Sequence, residues 1–294
     1  MTLKIATRSP DGTNNRVKFK FYPGGVMGND QAVLKKIRIG QLHGGAVTGG
    51  TLIPYYPDSE VYNIALTFES EDEVEYVRKH LDKDLIKELE KGGFVIFGIA
   101  ESGFSYIMSK EPILSVADLA RQKVWVPAGD ENAIAMVENF SITPIPLPVG
   151  DVLAGLQTGL INTVAISPIG ALALQWHTQV KNITDMPLLF GYGTLAISTR
   201  AFKKIKKADQ EIVRKVFTET FREIDAENKK DNIAAMQALR NQGINFVKPS
   251  TEQLSEWKTM TNVATQKLID SGKLNKKAVD RINKLITQYR KNKK

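Results

Sequence analysis

The chain has 294 residues, 42% of them hydrophobic, enough for one large domain or two of ordinary size with a true core. It has no cysteine, which excludes disulfides, thiolate metal sites and cysteine nucleophiles but leaves the compartment open. A net charge of +8 raises nucleic acid or an anionic membrane surface, but acidic and basic residues interleave along EYVRKHLDKDLIKELEK and only the terminal YRKNKK is one-signed, so the charge reads as a solvated surface and nucleic acid is not an expected partner.

Strand-like and helix-like segments alternate along the first two thirds of the chain. VKFKFY alternates with period two, and Asn29-Asp30 starts a helix through QAVLKKIRIGQ with Leu34 and Ile37 on one face. LHGGAV reads as a short strand. Ser70 with Glu73 forms a capping box for EVEYVRKHL, and Gly92 and Gly93 stop the next helix before the strand FVIFGIA. FSYIMS is a further strand, and Ser115 with Asp118 brackets a short helical turn before KVWVP.

From Trp125 onward the rhythm continues. Helix ENAIAMVENF leads to strand TPIPLP, helix DVLAGLQTG to strand INTVAIS, and then comes the helix PIGALALQWHTQV, which carries Trp176 and His177 late in its length. This βαβα order predicts a mostly parallel sheet with helices on both faces. Residues 208 to about 240 suit one long helix, and amphipathic helices around Trp257 and Ile282 finish the chain. No run approaches the roughly 18 uninterrupted apolar residues of a membrane helix, and MTLKIATRSPDG lacks the apolar core of a secretion signal.

Catalysis finds little support. The histidines are His43, His80 and His177, with His80 on a charged helical stretch, and there is no His-Glu-x-x-His, Gly-x-Ser-x-Gly or Walker motif. No catalytic residue, metal or cofactor is therefore expected. HGGAVTGG, residues 43–50, follows a strand, and its glycines either let backbone N–H groups of Thr48, Gly49 and Gly50 approach a bound group or form a tight loop packed under a neighbour. TRSPDG, with Arg8, either lines the same crevice or is a plain turn. Trp176 with His177 fits a core tryptophan beside a hydrogen-bonded histidine. Tyr192 sits on a strand between glycines, where close backbone approach is expected.

The order of segments resembles a known family. FYPGGVMGNDQAVLKKIRIGQLHGG is similar to the "yPgg.lG.d.e..e.l..G.vd" signature of DctP-type substrate-binding proteins of tripartite ATP-independent periplasmic (TRAP) transporters. PIPLPVGDVLAGLQTGLINTV resembles that family's "p.p.p..evy.aLqtG.vDg", and SVADLARQKVWVP its "tveDLkGlKiRvp". The resemblance implies a periplasmic, non-enzymatic α/β fold of two lobes with a long helix spanning both. It also implies a small-molecule ligand captured between the lobes by hinge closure and delivered to membrane permease subunits. Lobe one would be 1–103 with 191–229, and lobe two 104–190 with 230–294. A sensor signalling to a membrane receptor is the alternative on the same fold, and the amphipathic C-terminal helices permit a homodimer.

Several positions depart from the family pattern. The arginine of "KiRvp", which pairs with a substrate carboxylate, is Trp125 here; the cationic position of "GfRqlt" is Ser105; and a polar Glu-Asn pair is replaced near Ala165 and Ile166. A desolvated carboxylate without a cation is costly, whereas a tryptophan face suits an aromatic ring, an apolar body or a cation. The expected pocket is therefore apolar. Trp125, Tyr106, Trp176 and Tyr192 would shape it, with Ser105, Ser167, the 48–50 backbone and His177 as hydrogen-bonding groups and Arg8 as a candidate for a carboxylate. The bland reading of Trp125 is packing at a strand end. The family's helix of some two dozen residues before "GrVkf" is also missing between TRSPDG and TNNRVKF. Omission of a disordered segment is favoured over deletion, because deletion would uncover an apolar sheet face. The missing signal fits a mature chain with an added Met1.

Overall fold

The computed structural model describes residues 11–293. Arg8 and most of TRSPDG lie outside that range. The described residues form two compact units. One holds the residues up to Glu60 with Arg78–Ser102 and Tyr192–Lys229; the other holds Val61–Val77, Gly103–Gly191 and Lys230–Lys294.

The first unit begins with VKFKFY. Its residues alternate half-buried and exposed, and Val17, Phe19 and Phe21 pack on the apolar cluster around Phe217, with Phe19 edge-on to Phe217 at 4.7 Å. The predicted strand does not form there. The side-chain alternation is present, but no ladder partner is paired to it among the described residues, and the segment is placed by packing. Helix α1 (Asp30–Arg38) starts where Asn29 accepts the Ala32 amide. Strands β1 (Gly44–Thr48) and β2 (Phe94–Ile96) follow, separated by α2 (Glu71–Lys91). At the start of α2 the Ser70 hydroxyl accepts the Glu73 amide, but the Glu73 carboxylate takes the Glu69 amide rather than closing the expected box on Ser70.

In the second unit, β3 (Ala100–Ser109) leads through α3 (Val116–Ala120), capped by the Ser115–Asp118 box, to β4 (Trp125–Pro127). Helix α4 (Glu131–Asn139), capped by Asp130, precedes β5 (Ile145–Leu147), α5 (Val152–Thr158), β6 (Thr163–Ile166) and α6 (Pro168–Ala173). The helix predicted through PIGALALQWHTQV ends at α6. Gln175 takes a left-handed conformation (φ 59°), and Trp176–Thr178 form a separate tight turn that carries the Trp176 ring into the core. After β7 (Asn182–Thr184) the chain passes through β8 (Leu189–Ser198) into the first unit, which holds α7 (Thr199–Phe202), and α8 (Lys207–Asn241), the single long helix expected from the pattern, begins there. β9 (Asn245–Val247), α9 (Thr251–Asp270) and α10 (Lys276–Asn292) close the chain, with Trp257 of α9 buried and its indole N–H on the Leu114 carbonyl at 2.9 Å.

The expected mostly parallel sheet is a correction. β1 and β2 run antiparallel to β8, and β6 and β7 antiparallel to β3; parallel pairing occurs between β4 and β5 and between β7 and β9. Strand and helix alternate in sequence, but strand direction is set by the partner chosen. Here the ten-residue strands β3 and β8 recruit distant segments, as when Tyr106 pairs with Ile166.

The α-helices α2 and α8 and the strands β3 and β8 contain residues of both units. Inside the first unit, Arg78 of α2 ties three of them together. Its guanidinium donates to Asp82 at 3.0 Å, to Asp225 of α8 at 2.9 Å, to Glu101 of β3 at 3.4 Å and to the Ile99 carbonyl at 3.2 Å. Burial alone would pull Arg78 down, but Asp82 and Asp225 outweigh it and hold it above its ordinary value. Arg78→Met strands these carboxylates, and we expect a loss of about 3–5 kcal/mol in urea unfolding; a loss under about 1 kcal/mol would show the node to be dispensable.

Candidate functional site

The residues singled out by sequence fall into two groups, one in each unit. In the first unit, Thr48 ends β1 and its amide and hydroxyl both bind the Asp30 carboxylate, at 3.0 and 3.3 Å. The Gly49 amide is given to the Tyr192 carbonyl at 3.2 Å. Two of the three amides expected to meet a ligand are thus already engaged. A Cβ on Gly49 would stand 2.5 Å from the Tyr192 ring, and one on Gly50 would stand 2.5 Å from the Glu60 carboxylate. Side-chain proximity, not backbone conformation, therefore requires glycine at 49, where φ is −57°. Tyr192 is buried, its hydroxyl donates to the Ser59 carbonyl at 2.6 Å, and burial holds its phenol far above the ordinary value.

In the second unit, Trp125 opens β4 and is 7% exposed. Its indole N–H donates to the Leu147 carbonyl at 3.0 Å, across the parallel pair β4–β5. The ring stands edge-on to Trp176 at 5.1 Å, and Tyr106, Ile166 and Leu147 pack on the same cluster. The structure thus brings Trp125, Trp176 and Tyr106 together as an apolar wall. Trp125 can offer a ligand only ring surface, because its one donor is used.

The hydrogen-bonding candidates differ in what they have left. Ser105 gives its carbonyl to the Leu188 amide, while its half-buried hydroxyl makes no hydrogen bond to a described residue. Ser167 caps α6, accepting from the Gly170 amide at 3.3 Å, and keeps its own proton to donate. His177 contacts the Ala171 carbonyl through Nδ1 at 3.0 Å; a carbonyl can only accept, so Nδ1–H is the donor in that contact. It faces an open groove of about 640 Å³ with Lys181 and Asn245, whose lining includes neither Trp125 nor Tyr106.

Tyr106 also lines a cavity of about 280 Å³ that sequence reasoning missed. Phe104 of β3, Pro168 of α6, and Ile233, Met236 and Arg240 of α8 are among its walls. Asn232, Met236 and Arg240 recur at intervals of four on the long helix, a face that periodicity can show; what it faces depends on the packing of β3 and α6. Burial pushes the Tyr106 phenol up to about 12, with Asp185 and Glu71 adding to the shift and Arg240 opposing it, so it remains a donor at neutral pH.

Among known proteins, the sequence profile of the DctP family, bacterial extracellular solute-binding protein family 7, matches residues 3–271. The chain belongs to this family. It is a periplasmic solute-binding protein of the TRAP type and not an enzyme. The sialic acid-binding periplasmic protein SiaP of Vibrio cholerae is 20% identical over 258 residues, 86% of this chain and 79% of that protein. The 2,3-diketo-L-gulonate-binding periplasmic protein YiaO of Escherichia coli is 26% identical over 155 residues, 51% of this chain and 46% of that one.

Solved structures agree in fold. The sugar acid binding protein DctPAm of Advenella mimigardefordensis, in complex with galactonate, superposes with a TM-score of 0.87 at 15% identity, covering 97% of this chain and 92% of that one. A TRAP periplasmic solute-binding protein of Desulfovibrio salexigens with bound orotic acid gives 0.81 at 17% identity, covering 98% and 93%. This DctP chain shares with them an α/β fold with a long helix, here α8, running from one unit into the other. No helix of the described residues is long and apolar enough to cross a membrane.

Two substitutions test the local geometry of this DctP protein. Gly49→Ala is expected to cost about 1–3 kcal/mol in chemical denaturation, because the new methyl meets a buried ring that has no room to move. Trp125→Ala is expected to cost about 3–5 kcal/mol. A Trp125→Ala cost below about 1 kcal/mol would show that the indole is not part of the core.

Proposed function

We propose that this protein carries to its TRAP permease a small organic ligand with an apolar or aromatic body, an organic acid being the form its relatives suggest. One observation bears the reading. At the position where the family pattern has a carboxylate-binding arginine, this chain has Trp125, and that indole lies in an apolar cluster with Trp176 and Tyr106.

An acid held there would lack a cationic partner, so its carboxylate must be met by neutral donors. Ser105 and Ser167 hydroxyls are suited to that role, and a neutral hydrogen bond is worth roughly 0.5–1.5 kcal/mol against roughly 1.5–3 for a charge-assisted one. The difference must come from apolar contact, at about 25 cal/mol per Å² buried. A polyhydroxylated sugar acid is poorly served by such a wall, since each hydroxyl buried without a partner costs about 1–3 kcal/mol. An aromatic or branched aliphatic acid is well served. The sugar acids and orotic acid bound by relatives mark the chemical neighbourhood from which this protein has moved towards the apolar side.

A thermal-shift series on ligand-stripped protein tests this, using benzoate and phenylacetate against orotate, galacturonate, gluconate and succinate. A true ligand at 100 times its Kd adds about 2.7 kcal/mol, a shift of several degrees. We expect the apolar-bodied acids to stabilise the protein and Trp125→Phe, which keeps the core filled, to weaken the effect. Stabilisation by galacturonate or succinate, unchanged in Trp125→Phe, would overturn the reading.

A further inference from the structure

The positive charge of the chain is gathered at its C-terminus. Residues 276–294 hold eight lysines and arginines against one aspartate, a net +7 of the chain's +8, while the other 275 residues hold 32 basic side chains against 31 acidic ones. Most of that charge sits on α10. The helix turns Val279, Ile282 and Ile286 inward, where they are buried, and its successive residues lie about 100° apart around the axis. On that wheel Lys277, Arg281, Lys284, Gln288 and Lys291 fall within about 40° of one line, on the side opposite the buried three. All five are exposed.

Nearby carboxylates neutralise the flanks of this stripe and not its crest. Arg290 binds Glu73 at 2.7 and 3.1 Å and stands 3.5 Å from Glu69, which also meets Lys258 of α9 at 2.6 Å. Lys293 reaches Asp72 at 3.2 Å, and Lys276 holds Asp280, the one aspartate of the helix, at 2.7 Å. Arg281 has a contact of its own within the protein, whereas the ammonium groups of Lys277, Lys284 and Lys291 pair with no described residue. Seven residues separate each of these lysines from the next. They therefore form a straight row with about 10.5 Å between neighbours and about 21 Å from end to end.

What such a row can meet follows from what it lacks. No aromatic, methionine or aliphatic residue interrupts it. Protein–protein contacts rest on aromatic, methionine and arginine anchors and are poor in lysine, so a lysine row is not that kind of surface. A second copy of the chain would bring the same charge and be repelled. The apolar side of α10 is already buried, so the helix has nothing to insert among lipid tails, yet each lysine beside an anionic bilayer strengthens adsorption about fivefold. The protein is periplasmic and works beside a membrane.

We propose that the lysine row of α10 is an electrostatic docking surface for the anionic phospholipid headgroups of a membrane, holding the protein reversibly at the bilayer through its second unit. Lys277, Lys284 and Lys291 supply the attraction, and salt screens it. The surface is independent of which ligand the protein carries and of how Trp125 is read.

Co-sedimentation of the full chain with lipid vesicles tests it. At about 20 mM salt, vesicles of phosphatidylglycerol and phosphatidylethanolamine should bind the protein and vesicles of phosphatidylcholine should not, and about 300 mM salt should abolish the binding. The triple variant Lys277→Gln, Lys284→Gln, Lys291→Gln should weaken binding to the anionic vesicles by about thirtyfold or more. A control triple, Lys35→Gln, Lys203→Gln, Lys215→Gln, removes three exposed lysines of the first unit and the same net charge, and should weaken it less than about threefold. All six side chains are exposed, and circular dichroism verifies that both variants fold. No binding to anionic vesicles at low salt, or equal losses in the two triple variants, overturns the surface. Tighter binding to soluble poly-L-glutamate than to the vesicles, lost in the α10 variant, overturns the lipid assignment in favour of an acidic protein partner.

Discussion

Arg78 is the interaction on which the positions of the other elements rest. It places one guanidinium, 11% exposed, among the carboxylates of Asp82, Glu101 and Asp225. Asp225 also accepts the Glu101 amide at 2.7 Å, and Asn228 donates to the Glu101 carbonyl at 2.8 Å, so the side chains of one helix hold the backbone of β3 where that strand begins. A buried ion cluster of this kind adds less stability than apolar packing of equal volume, but it tolerates no alternative arrangement of its members. Register is what it supplies. Within the first unit that register holds α2, the start of β3 and the N-terminal part of α8 to one another.

Much of this could be read from local sequence, and the reason is that the legible signals are local ones. Asn29, Asp130 and Ser115 cap their helices through side chains three residues from the amides they bind. The long helix followed from an apolar stripe that runs without a breaking residue from Ile212 to Leu239. Strand direction was not legible, since the partners of β3 and β8 are contributed by residues many tens of positions away. VKFKFY shows the same limit from the other side: period two is a property of an extended chain packed on a surface, and a ladder is a further requirement.

The site was legible where a residue type carried the message and illegible where geometry did. Trp125 in place of an arginine is visible in ten letters, but the hydrogen bond that ties its indole to Leu147 is not. The glycines at 49 and 50 pointed to close approach, and the approaching groups proved to be the chain's own Tyr192 ring and Glu60 carboxylate. Gln175 in a left-handed conformation broke the apolar helix before Trp176, because an apolar run with helical periodicity does not reveal a reversal that only burial of the indole rewards. The cavity lined by Tyr106 and Arg240 needed four elements, α2, β3, α6 and α8, to be assembled before it could be seen.

Recognition by an apolar wall differs in kind from recognition by an arginine. A bidentate guanidinium fixes the orientation of any carboxylate and is indifferent to the remainder of the molecule, so a family built on it can diversify its ligands by changing the rest of the pocket. On the proposed reading, Trp125 in place of that anchor removes the common element and transfers selectivity to shape, where each additional methylene is worth only about 1–3 kcal/mol. Such a pocket must be well packed to be selective, and the edge-on contact of Trp125 with Trp176, fixed by a hydrogen bond at one end and by Tyr106, Ile166 and Leu147 around it, is an arrangement with few rotamers left to vary. In the site we propose, rigidity does the work that charge does in the family pattern, because a wall already ordered before binding loses little entropy when a ligand arrives.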